Sequence, residues 1–387
     1  LYVLNYTKDG VRVFESYVVG ENDELIKLDE TTTISQTISP QDWAIDQFFG
    51  GDGGTILWSG DIGLIENCTF IDSNSARRGG GAYMTGSDNV TFDDCYFENC
   101  TSGTNGGGVD WLAGANHGKI LNCTFNNTRA ARSAGAIYYD GWYGRLENVT
   151  IINTQSWGGA LKTSDDRRVK YAGWDSSHWD TNTTGGDAGA IMFTGDHEYI
   201  YNATFINCTS VGRGGAVFLQ DNHNVTFDLC VFRNNTALGT ANNTWNDDKN
   251  LSSGKNPFLS GNGGAIGFDN GATLGIIKNS RFINNTAQRM GGAISFAKGS
   301  SNATITNSTF DNNIAKRNGG AISIDGVNAR FDYCNFTNNA ATAEDIDTSV
   351  FNLHSLSQIK NVTTTNKVID KSVLPTPGEG TMDYLYV

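Results

Sequence analysis

Hydrophobic and polar residues alternate along this chain in short runs that recur about every 28 residues. The run "NNTAQRMGGAISF" begins at Asn284, and "NNIAKRNGGAISI" begins at Asn312. Runs such as "NCTF", "AIYY" and "AVFL" show the period of two that predicts short β-strands, and Gly, Asn and Asp separate them. A repeat of this length, built from short strands, predicts a β-solenoid whose equivalent strands stack in parallel about 4.8 Å apart.

Two positions fix the register of the repeat. A large apolar residue recurs at Phe70, Phe97, Phe125, Ile151, Phe205, Phe232, Phe282, Phe310 and Phe336, with Trp174 aligned in the gap after Ile151. The last residue of a Gly-Gly-Ala phrase recurs at Gly81, Gly108, Ala136, Ala160, Ala190, Ala216, Ala265, Ala293 and Ala321. Neighbouring phrases lie 24 to 30 residues apart, except for one spacing of 49 that predicts an insertion at 238–261. We expect coils over 56–340, an N-terminal β-segment or cap over 1–55, and a C-terminal cap and tail over 341–387.

The alternation also predicts which side chains face inward. The small residue two before the large apolar position, and the first and third residues after Gly-Gly-Ala, are expected to form the core. The Asn two residues after that position, such as Asn99 or Asn284, is predicted to join an inward ladder of stacked amides. Paired Gly predicts a corner with positive φ or close backbone approach. A coil of this length fits three short strands and three turns.

The combination of "F-x-N-N" with "G-G-A-I" resembles the repeats of chlamydial polymorphic outer-membrane proteins. It resembles even more the large adhesin-like surface proteins of methanogenic archaea. The resemblance covers roughly residues 60–340 and implies an all-β protein, a single right-handed parallel β-helix with capped ends, on a cell surface. It implies no catalytic residues.

Composition narrows the classes of partner. The chain of 387 residues carries a net charge of −14 and a sequence pI near 4.7, so it lacks the basic footprint that nucleic acids require. Aromatic residues make up 11% of the chain, which argues against disorder. The chain contains no run of 18 apolar residues, so no membrane span is predicted within it. An acidic surface rich in Asn and Thr favours an extracellular location.

The seven cysteines follow the repeat. Cys68, Cys95 and Cys123 share the inward small position in consecutive coils, where a disulfide or metal ladder is one interpretation and packing is the other. Ser, Ala or Val takes the same position elsewhere and no C-x-x-C pair exists, so packing is favoured over zinc. Cys100 and Cys208 are predicted at a turn edge, where exposed thiols could form intermolecular disulfides.

Large side chains at outward positions, and a concentration of Trp in the middle of the chain, predict a ligand-binding surface, because sugars stack on exposed rings. The alternative is that another segment covers these side chains. The candidates are Tyr83, Tyr138, Trp142, Trp157, Trp179, Met192 and Phe218.

A polar cluster falls in two neighbouring predicted coils, at Asp165, Asp166, His178, Asp180, Asp196 and His197. Acid–base chemistry on a polysaccharide is one interpretation, and solvated turn residues are the other. No polygalacturonase-like phrase is present, so no catalytic residue is predicted. No cofactor is predicted either, although paired Asp leaves calcium open.

Sequons of the form N-x-T or N-x-S are frequent. Those expected in turns and loops are glycosylation candidates, at Asn89, Asn182, Asn224, Asn242, Asn250 and Asn302. The sequons at Asn207, Asn234 and Asn284 coincide with the predicted inward ladder, where a glycan would not fit.

Three functions remain open from the sequence. The first is a non-enzymatic extracellular adhesin-like protein that binds a partner cell, glycan or matrix through the outer face of the helix. The second is a structural subunit of a sheath, layer or filament that self-associates through its ends, and the third is a polysaccharide lyase or hydrolase. Since faithful repetition argues for a building unit, function is expected where the phrase decays, at 157–198, in the insertion and at the ends.

Overall fold

The computed structural model describes residues 51–157, 186–239, 261–269, 271–297 and 299–341, and the backbone of several further strands. Three of these strands, Tyr2–Lys8, Val11–Val19 and Leu25–Lys27, form an antiparallel sheet within a separate compact unit. The N-terminal run Tyr2–Lys8 is therefore paired with the strand that follows it. All other sheets belong to the second unit.

The second unit is a right-handed parallel β-solenoid of about 28 residues per coil, as predicted. Its coils contribute to four parallel sheets, which we number in the order in which a coil visits them. Sheet 1 follows the Gly-Gly-Ala corner and contains Ile56–Trp58, Ala82–Met84, Val109–Trp111, Ile137–Tyr139, Ile191–Phe193, Val217–Leu219, Ile266–Phe268, Ile294–Phe296 and Ile322–Ile324. Sheet 2 contains Leu64–Glu66, Thr91–Asp93, Lys119–Leu121, Arg145–Glu147, Tyr199–Tyr201, Thr226–Asp228, Ile276–Lys278, Thr304–Thr306, Arg330–Asp332 and Gln358–Lys360.

Sheets 3 and 4 complete each coil. Sheet 3 carries the large apolar position and contains Thr69–Ile71, Tyr96–Glu98, Thr124–Asn126, Thr150–Ile152, Thr204–Ile206, Val231–Arg233, Arg281–Ile283, Thr309–Asp311, Asn335–Thr337 and Thr363–Thr364. Sheet 4 contains Asn74–Ser75, Thr101–Ser102, Arg129–Ala130, Gln155–Ser156, Thr209–Ser210, Thr236–Ala237, Thr286–Ala287, Ile314–Ala315 and Ala340–Ala341. A coil thus has four short strands where the sequence predicted three.

The large apolar position stacks as predicted. Phe282 pairs in register with Phe232 on one side and Phe310 on the other, and neighbouring ring centroids lie 4.8 Å apart. The first and third residues of each sheet 1 strand from Ala82 to Ile324 are buried with these rings in one continuous core. Parallel in-register stacking therefore places apolar side chains on their equivalents in the next coil, which builds one core along the helix axis.

The corner Gly residues meet both predicted conditions, one at each position. Gly291 has φ of 68°, in the left-handed region that favours glycine. A Cβ on the following Gly292 would overlap the carbonyl oxygen of Gly320 in the next coil. The first Gly thus turns the chain, and the second lets adjacent coils approach.

The predicted Asn position forms amide-to-amide hydrogen bonds in several coils, as expected, but it faces outward. Nδ2 of Asn127, Asn207 and Asn234 donates to Oδ1 of Asn99, Asn153 and Asn207 at 2.6, 3.0 and 3.3 Å, respectively.

A second ladder, which is buried, lies one residue further along the chain. Asn284 and its equivalents adopt φ near 55° and are exposed, because a left-handed residue interrupts the alternation of faces. The next residue is the buried one. Asn285 donates from Nδ2 to the Oδ1 of Asn313 at 2.9 Å and to the carbonyl oxygen of Phe232 at 3.1 Å. Asn235, Asn313 and Asn339 continue this ladder.

The coil predicted at Ala160 does not exist. Ile137 pairs directly with Ile191, and Ser156 pairs with Ser210, so the segment between them is an insertion into one coil. Ala160–Leu161 instead pairs antiparallel with Trp179–Asp180. The phrase "WGGALK" imitates a corner, but no large apolar position follows it in register, since Ile151 pairs with Phe205. Trp174, which the sequence aligned with this column, lies outside the described residues.

The 49-residue spacing agrees with an insertion, since Val217 pairs directly with Ile266. Within the described ranges, no helix has the length and apolar character needed to cross a bilayer.

Candidate ligand-binding face

The turn between sheets 1 and 2 places one exposed left-handed residue in each coil. Its φ lies between 56° and 68°, and Asn, the residue best suited to this conformation, occupies it in four coils. The column reads Ile62, Asn89, His117, Tyr143, His197, Asn224, Leu274, Asn302 and Asn328. Three consecutive coils therefore replace Asn by an aromatic or imidazole ring.

These three rings stack along the helix axis. The His117 and Tyr143 rings lie 5.2 Å apart with planes within 11°, and the Tyr143 and His197 rings lie 5.0 Å apart. Both His side chains are exposed, and 49% of the Tyr143 side chain is accessible to solvent. The stack presents its polar edges, two imidazoles and a phenol, to solvent.

Side-chain oxygens brace this turn from the preceding position. Oδ1 of Asn116 accepts a hydrogen bond from the backbone N–H of Trp142 at 2.9 Å, and Oδ1 of Asp196 accepts one from His223 at 2.7 Å. Trp142 takes the bracing position in its own coil, where it offers no side-chain acceptor. Its indole is instead 54% exposed beside the stack. The side-chain acceptor is therefore missing in the coil that exposes the Trp142 indole.

The outer face of sheet 2 extends the rings. Arg145 and Tyr199 are paired in register, and the guanidinium lies 5.9 Å from the Tyr199 ring centre. The Tyr199 and Tyr201 rings lie 6.2 Å apart on the same face and are half-buried. We call the six side chains His117, Trp142, Tyr143, His197, Tyr199 and Tyr201 the ring face.

Charged groups around the ring face are partly paired. Nε of Arg145 donates to Glu147 at 2.7 Å, and Nζ of Lys278 lies 3.2 Å from Asp228. Further carboxylates lie in the turn, since Asp88 accepts a hydrogen bond from the backbone N–H of Asn116 at 2.9 Å, and Asp196 accepts one from that of His223 at 2.7 Å.

The outward column of sheet 1, by contrast, is buried. Tyr83, Met192 and Phe218 are buried, Tyr138 is half-buried, and the last three pack together with Ala134 and Ala188. The expectation that these four side chains form an exposed ligand surface is therefore wrong. The Arg213 guanidinium lies 4.1 Å from the Phe218 ring centre and bonds to Asp187 and Asp269.

Of the remaining predicted rings, Trp142 lies on the ring face. Trp157 is half-buried, 5.8 Å from the Arg129 guanidinium. Only the backbone of Trp179 is described.

The predicted polar cluster is only partly within the described residues. Asp165, Asp166 and His178 lie outside them, and Asp180 is described only as backbone in a short strand. Asp196 and His197 do meet Trp142, because the backbone N–H of Tyr143 donates to the carbonyl oxygen of Asp196 at 2.9 Å. The structure therefore brings one residue from the ring prediction together with two from the polar prediction.

Two carboxyl groups have strongly raised pKa values, and both are buried. Burial raises the pKa of Asp110 to about 8, and burial likewise raises that of Glu198 to about 8. Asp110 faces Arg78 at 3.5 Å, and Glu198 accepts a hydrogen bond from Nδ2 of Asn222 at 2.7 Å. A general acid must reach its substrate, so this burial does not favour either group for catalysis.

The structure also bears on the predicted exposed thiols and on metal binding. Cys100 and Cys208 are fully buried in the core, so the prediction of exposed thiols is wrong. Within the described ranges, no three His, Cys, Asp or Glu side chains are arranged to hold a metal ion.

The sequon asparagines divide into three groups. Asn89 and Asn302 are exposed and Asn224 is half-exposed, whereas Asn182, Asn242 and Asn250 lie outside the described residues. Asn207, Asn234 and Asn284 are exposed, so excluding them as inward-facing was wrong.

His117, Tyr143, Tyr199, Tyr201 and the bracing Asx residues were missed from the sequence. A column alignment of the turn before sheet 2 would have found them.

Comparison with known families gives two matches. A family described as a right handed beta helix region matches residues 46–169. The Chlamydia polymorphic membrane protein repeat matches residues 279–297 and 307–325, which contain both copies of the phrase that ends in "GGAIS". No curated protein matches the chain.

Proposed function

We propose that the chain, a right-handed parallel β-helix repeat protein with repeats like those of chlamydial polymorphic membrane proteins, is an extracellular adhesin-like surface protein that binds a partner's glycan through the ring face. The family matches support a surface protein of adhesin-like type. The exposed rings of the ring face support this surface as the place where the ligand binds.

The observation that carries the proposal is the ring stack in the left-handed column. A bulky residue with positive φ is strained by about 1 kcal/mol or more, whereas Asn in the same conformation is well tolerated. Exposed Leu274 and Ile62 also adopt this conformation, but each stands without a ring neighbour in the column. Strain that recurs in three adjacent coils, at exposed rings in mutual contact, is typical of a site kept for binding.

A neutral glycan fits this face best. Exposed Trp and Tyr rings offer apolar contact area, and the imidazole, phenol and guanidinium groups beside them offer hydrogen bonds to hydroxyl groups. Because carboxylates line this turn and the whole chain carries −14, a strongly anionic ligand is not favoured. Neighbouring strands of sheet 2 are about 4.8 Å apart, so an extended chain that runs along the helix axis can cross several coils.

The test is isothermal titration of the intact chain with neutral oligosaccharides, chitohexaose and cellohexaose, and with oligogalacturonate as an anionic comparison. We expect binding of at least one neutral probe, and a loss of at least tenfold in affinity for Tyr143→Asn and for Trp142→Ala. The matched control is Leu274→Asn, which changes the same column outside the ring face and should bind as the parent does. Equal binding by Tyr143→Asn and Leu274→Asn would place the ligand elsewhere.

A second candidate function, assembly through the N-terminal coil, is favoured by one observation. Leu57, Ile62, Leu64 and Ile71 are 55–82% exposed in this first coil, and the positions equivalent to Ile62 and Leu64 are mostly polar in later coils. Exposed apolar groups of this kind mark interaction surfaces. Sedimentation velocity should then show concentration-dependent oligomers that Ile62→Asp with Leu64→Asp abolishes, and a monomer at all concentrations would refute assembly.

A further inference from the structure

The column of small inward residues between sheets 2 and 3 stacks three cysteines. Cys68 and Cys95 come directly before the paired residues Thr69 and Tyr96, and the backbone N–H of Tyr96 donates to the carbonyl oxygen of Cys68 at 2.9 Å. Cys95 and Cys123 are related in the same way, since Thr124 donates to the carbonyl oxygen of Cys95 at 2.9 Å. In-register neighbours in a parallel sheet have Cα atoms about 4.8 Å apart, within the range that a disulfide spans.

The three thiols differ in exposure. Cys68 is partly exposed, in the first coil, whereas Cys95 and Cys123 are buried. The Cys68 thiol lies 3.1 Å from the carbonyl oxygen of Glu66. A small disulfide reagent from solvent can therefore reach Cys68 first, and only Cys95 is its neighbour within the column.

The environment of Cys95 suits it to the second step. A hydrogen bond from the Cys123 thiol lowers the pKa of Cys95, which favours the Cys95 thiolate. Burial and the neighbouring Cys95 thiol raise the pKa of Cys68. The less acidic thiol is thus at the surface, and the readily ionised thiol lies directly behind it.

We propose that Cys68 and Cys95 form an oxidation site that closes a disulfide between the first two coils when a low-molecular-weight disulfide such as oxidised glutathione is present. The Cys68 thiolate attacks the reagent, forming a mixed disulfide and releasing one reduced glutathione. The Cys95 thiolate then attacks Sγ of Cys68 and displaces the second. Overall, two protein thiols are oxidised, one glutathione disulfide is reduced to two thiols, and the two protons pass to the glutathione products.

The bond would fasten the end coil of the solenoid. Terminal coils have a neighbour on one side only and open most easily, so a covalent link between the first and second coils protects the end from local unfolding. Cys230 is an internal control for disulfide formation. It lies in the same column between Ala203 and Ser280, so it has no cysteine neighbour there.

The test is oxidation of the intact folded chain with oxidised glutathione, followed by peptide mapping without reduction. We expect a cross-linked pair of peptides that contains Cys68 and Cys95, and no modification of Cys230. Cys95→Ser should instead retain glutathione on Cys68, and Cys123→Ser should still form the Cys68–Cys95 bond, although more slowly at neutral pH. Serine occurs naturally at this position in Ser280 and Ser308, so both variants should fold.

Three results would each overturn the proposal. The first is a stable mixed disulfide on Cys68 in the parent chain, because Cys95 would then be unable to reach it. The second is a Cys95–Cys123 cross-link, and the third is no reaction in the folded chain while the denatured chain reacts fully. A successful cross-link should also slow proteolysis of the first coil several-fold, and dithiothreitol should reverse this protection.

Discussion

The coils from Asn262 to Asn339 and the coils from Trp111 to Tyr201 share one backbone plan, but they use it differently. In the later coils, the residue after the left-handed turn of sheet 3 is a buried Asn that joins a continuous amide ladder. In the middle coils the same position holds Thr128 and Thr154. At the exposed turn before sheet 2, the later coils mostly keep Asn, whereas the middle coils display rings.

This difference separates stability from recognition within one repeat. The buried Asn side chains of the later coils are hydrogen-bonded to equivalent residues in the coils on both sides, so a change at one of them disturbs two further coils. The ring face lies outside the stack, on residues whose replacement removes no buried contact. The comparison predicts large stability effects with no loss of binding in one region, and the reverse in the other.

The largest effect is expected at the corner glycine. Gly292→Ala places a Cβ against the carbonyl oxygen of Gly320 and the backbone of Ile314, so the free energy of unfolding should fall by about 3 kcal/mol. Gly86→Ala is the matched control, because its φ is 59° but no atom lies within 4 Å of the added Cβ. It should cost only about 1 kcal/mol, measured by urea denaturation. Equal effects would show that adjacent coils can separate freely.

The amide ladder should give the next largest effect. Asn285→Ala removes the acceptor for Nδ2 of Asn235 and for its backbone N–H, both at 3.0 Å, and should destabilise the chain by about 2–3 kcal/mol. Thr128→Ala at the equivalent middle position removes a hydroxyl without a hydrogen-bond partner. We expect about 1 kcal/mol for this control. The idea that the two regions differ in polar stabilisation fails if Thr128→Ala is the more damaging change.

The buried Glu198 should make stability depend on pH. Its pKa in the folded chain, about 8, lies above the ordinary 4.5, so the folded chain keeps a proton that the unfolded chain releases between these values. The contribution of this group to stability is full below about 4.5, falls as the pH rises to about 8, and is constant above that. Glu198→Gln should flatten the decline, as measured by denaturation across this range.

Asp110 has a pKa raised in the same direction, also to about 8. Asp110→Asn should therefore flatten the decline by itself, and the double variant should flatten it further. A parent chain that becomes more stable between pH 4.5 and 8 would contradict both pKa assignments. If other groups cause such a rise, the double variant should become more stable over this pH range by a still larger amount.

The smallest effect on stability is expected at the ring face. Tyr143→Asn restores the residue that Asn302 and Asn328 supply at this turn, and it relieves a left-handed Tyr. The free energy of unfolding should therefore change by less than about 0.5 kcal/mol or increase. A clear loss of stability would mean that the stack with His117 and His197 supports the fold rather than a ligand.

Much of the fold could be predicted from the sequence, because Phe282 and Ile294 recur in register and stack on their own equivalents. The predicted Asn column was assigned to the wrong face, and the buried amide ladder one residue further along was missed, since a left-handed residue such as Asn284 reverses the alternation of faces that an extended strand would keep. The coil at Ala160 was inferred from a corner phrase alone, and strand pairing alone could show that the chain leaves the solenoid there.

The ring face was harder to predict for a different reason. Tyr143 and His197 are far apart in sequence because the insertion separates them, yet they stack in space. Only the register of Arg145 with Tyr199 brings their turns together. Conversely, Tyr83 and Phe218 looked exposed because outward positions of a sheet are expected to meet solvent, but their burial depends on contacts that no local pattern encodes.

The most direct test of the ring face is one titration, of the Tyr143→Asn and Leu274→Asn chains with chitohexaose and cellohexaose beside the parent. Both variants change the same turn position, and both should be as stable as the parent. The account predicts that Leu274→Asn keeps the parent affinity and that Tyr143→Asn loses at least tenfold. Unchanged affinity in Tyr143→Asn, or no binding of either probe by the parent, would contradict a neutral glycan site on the ring face.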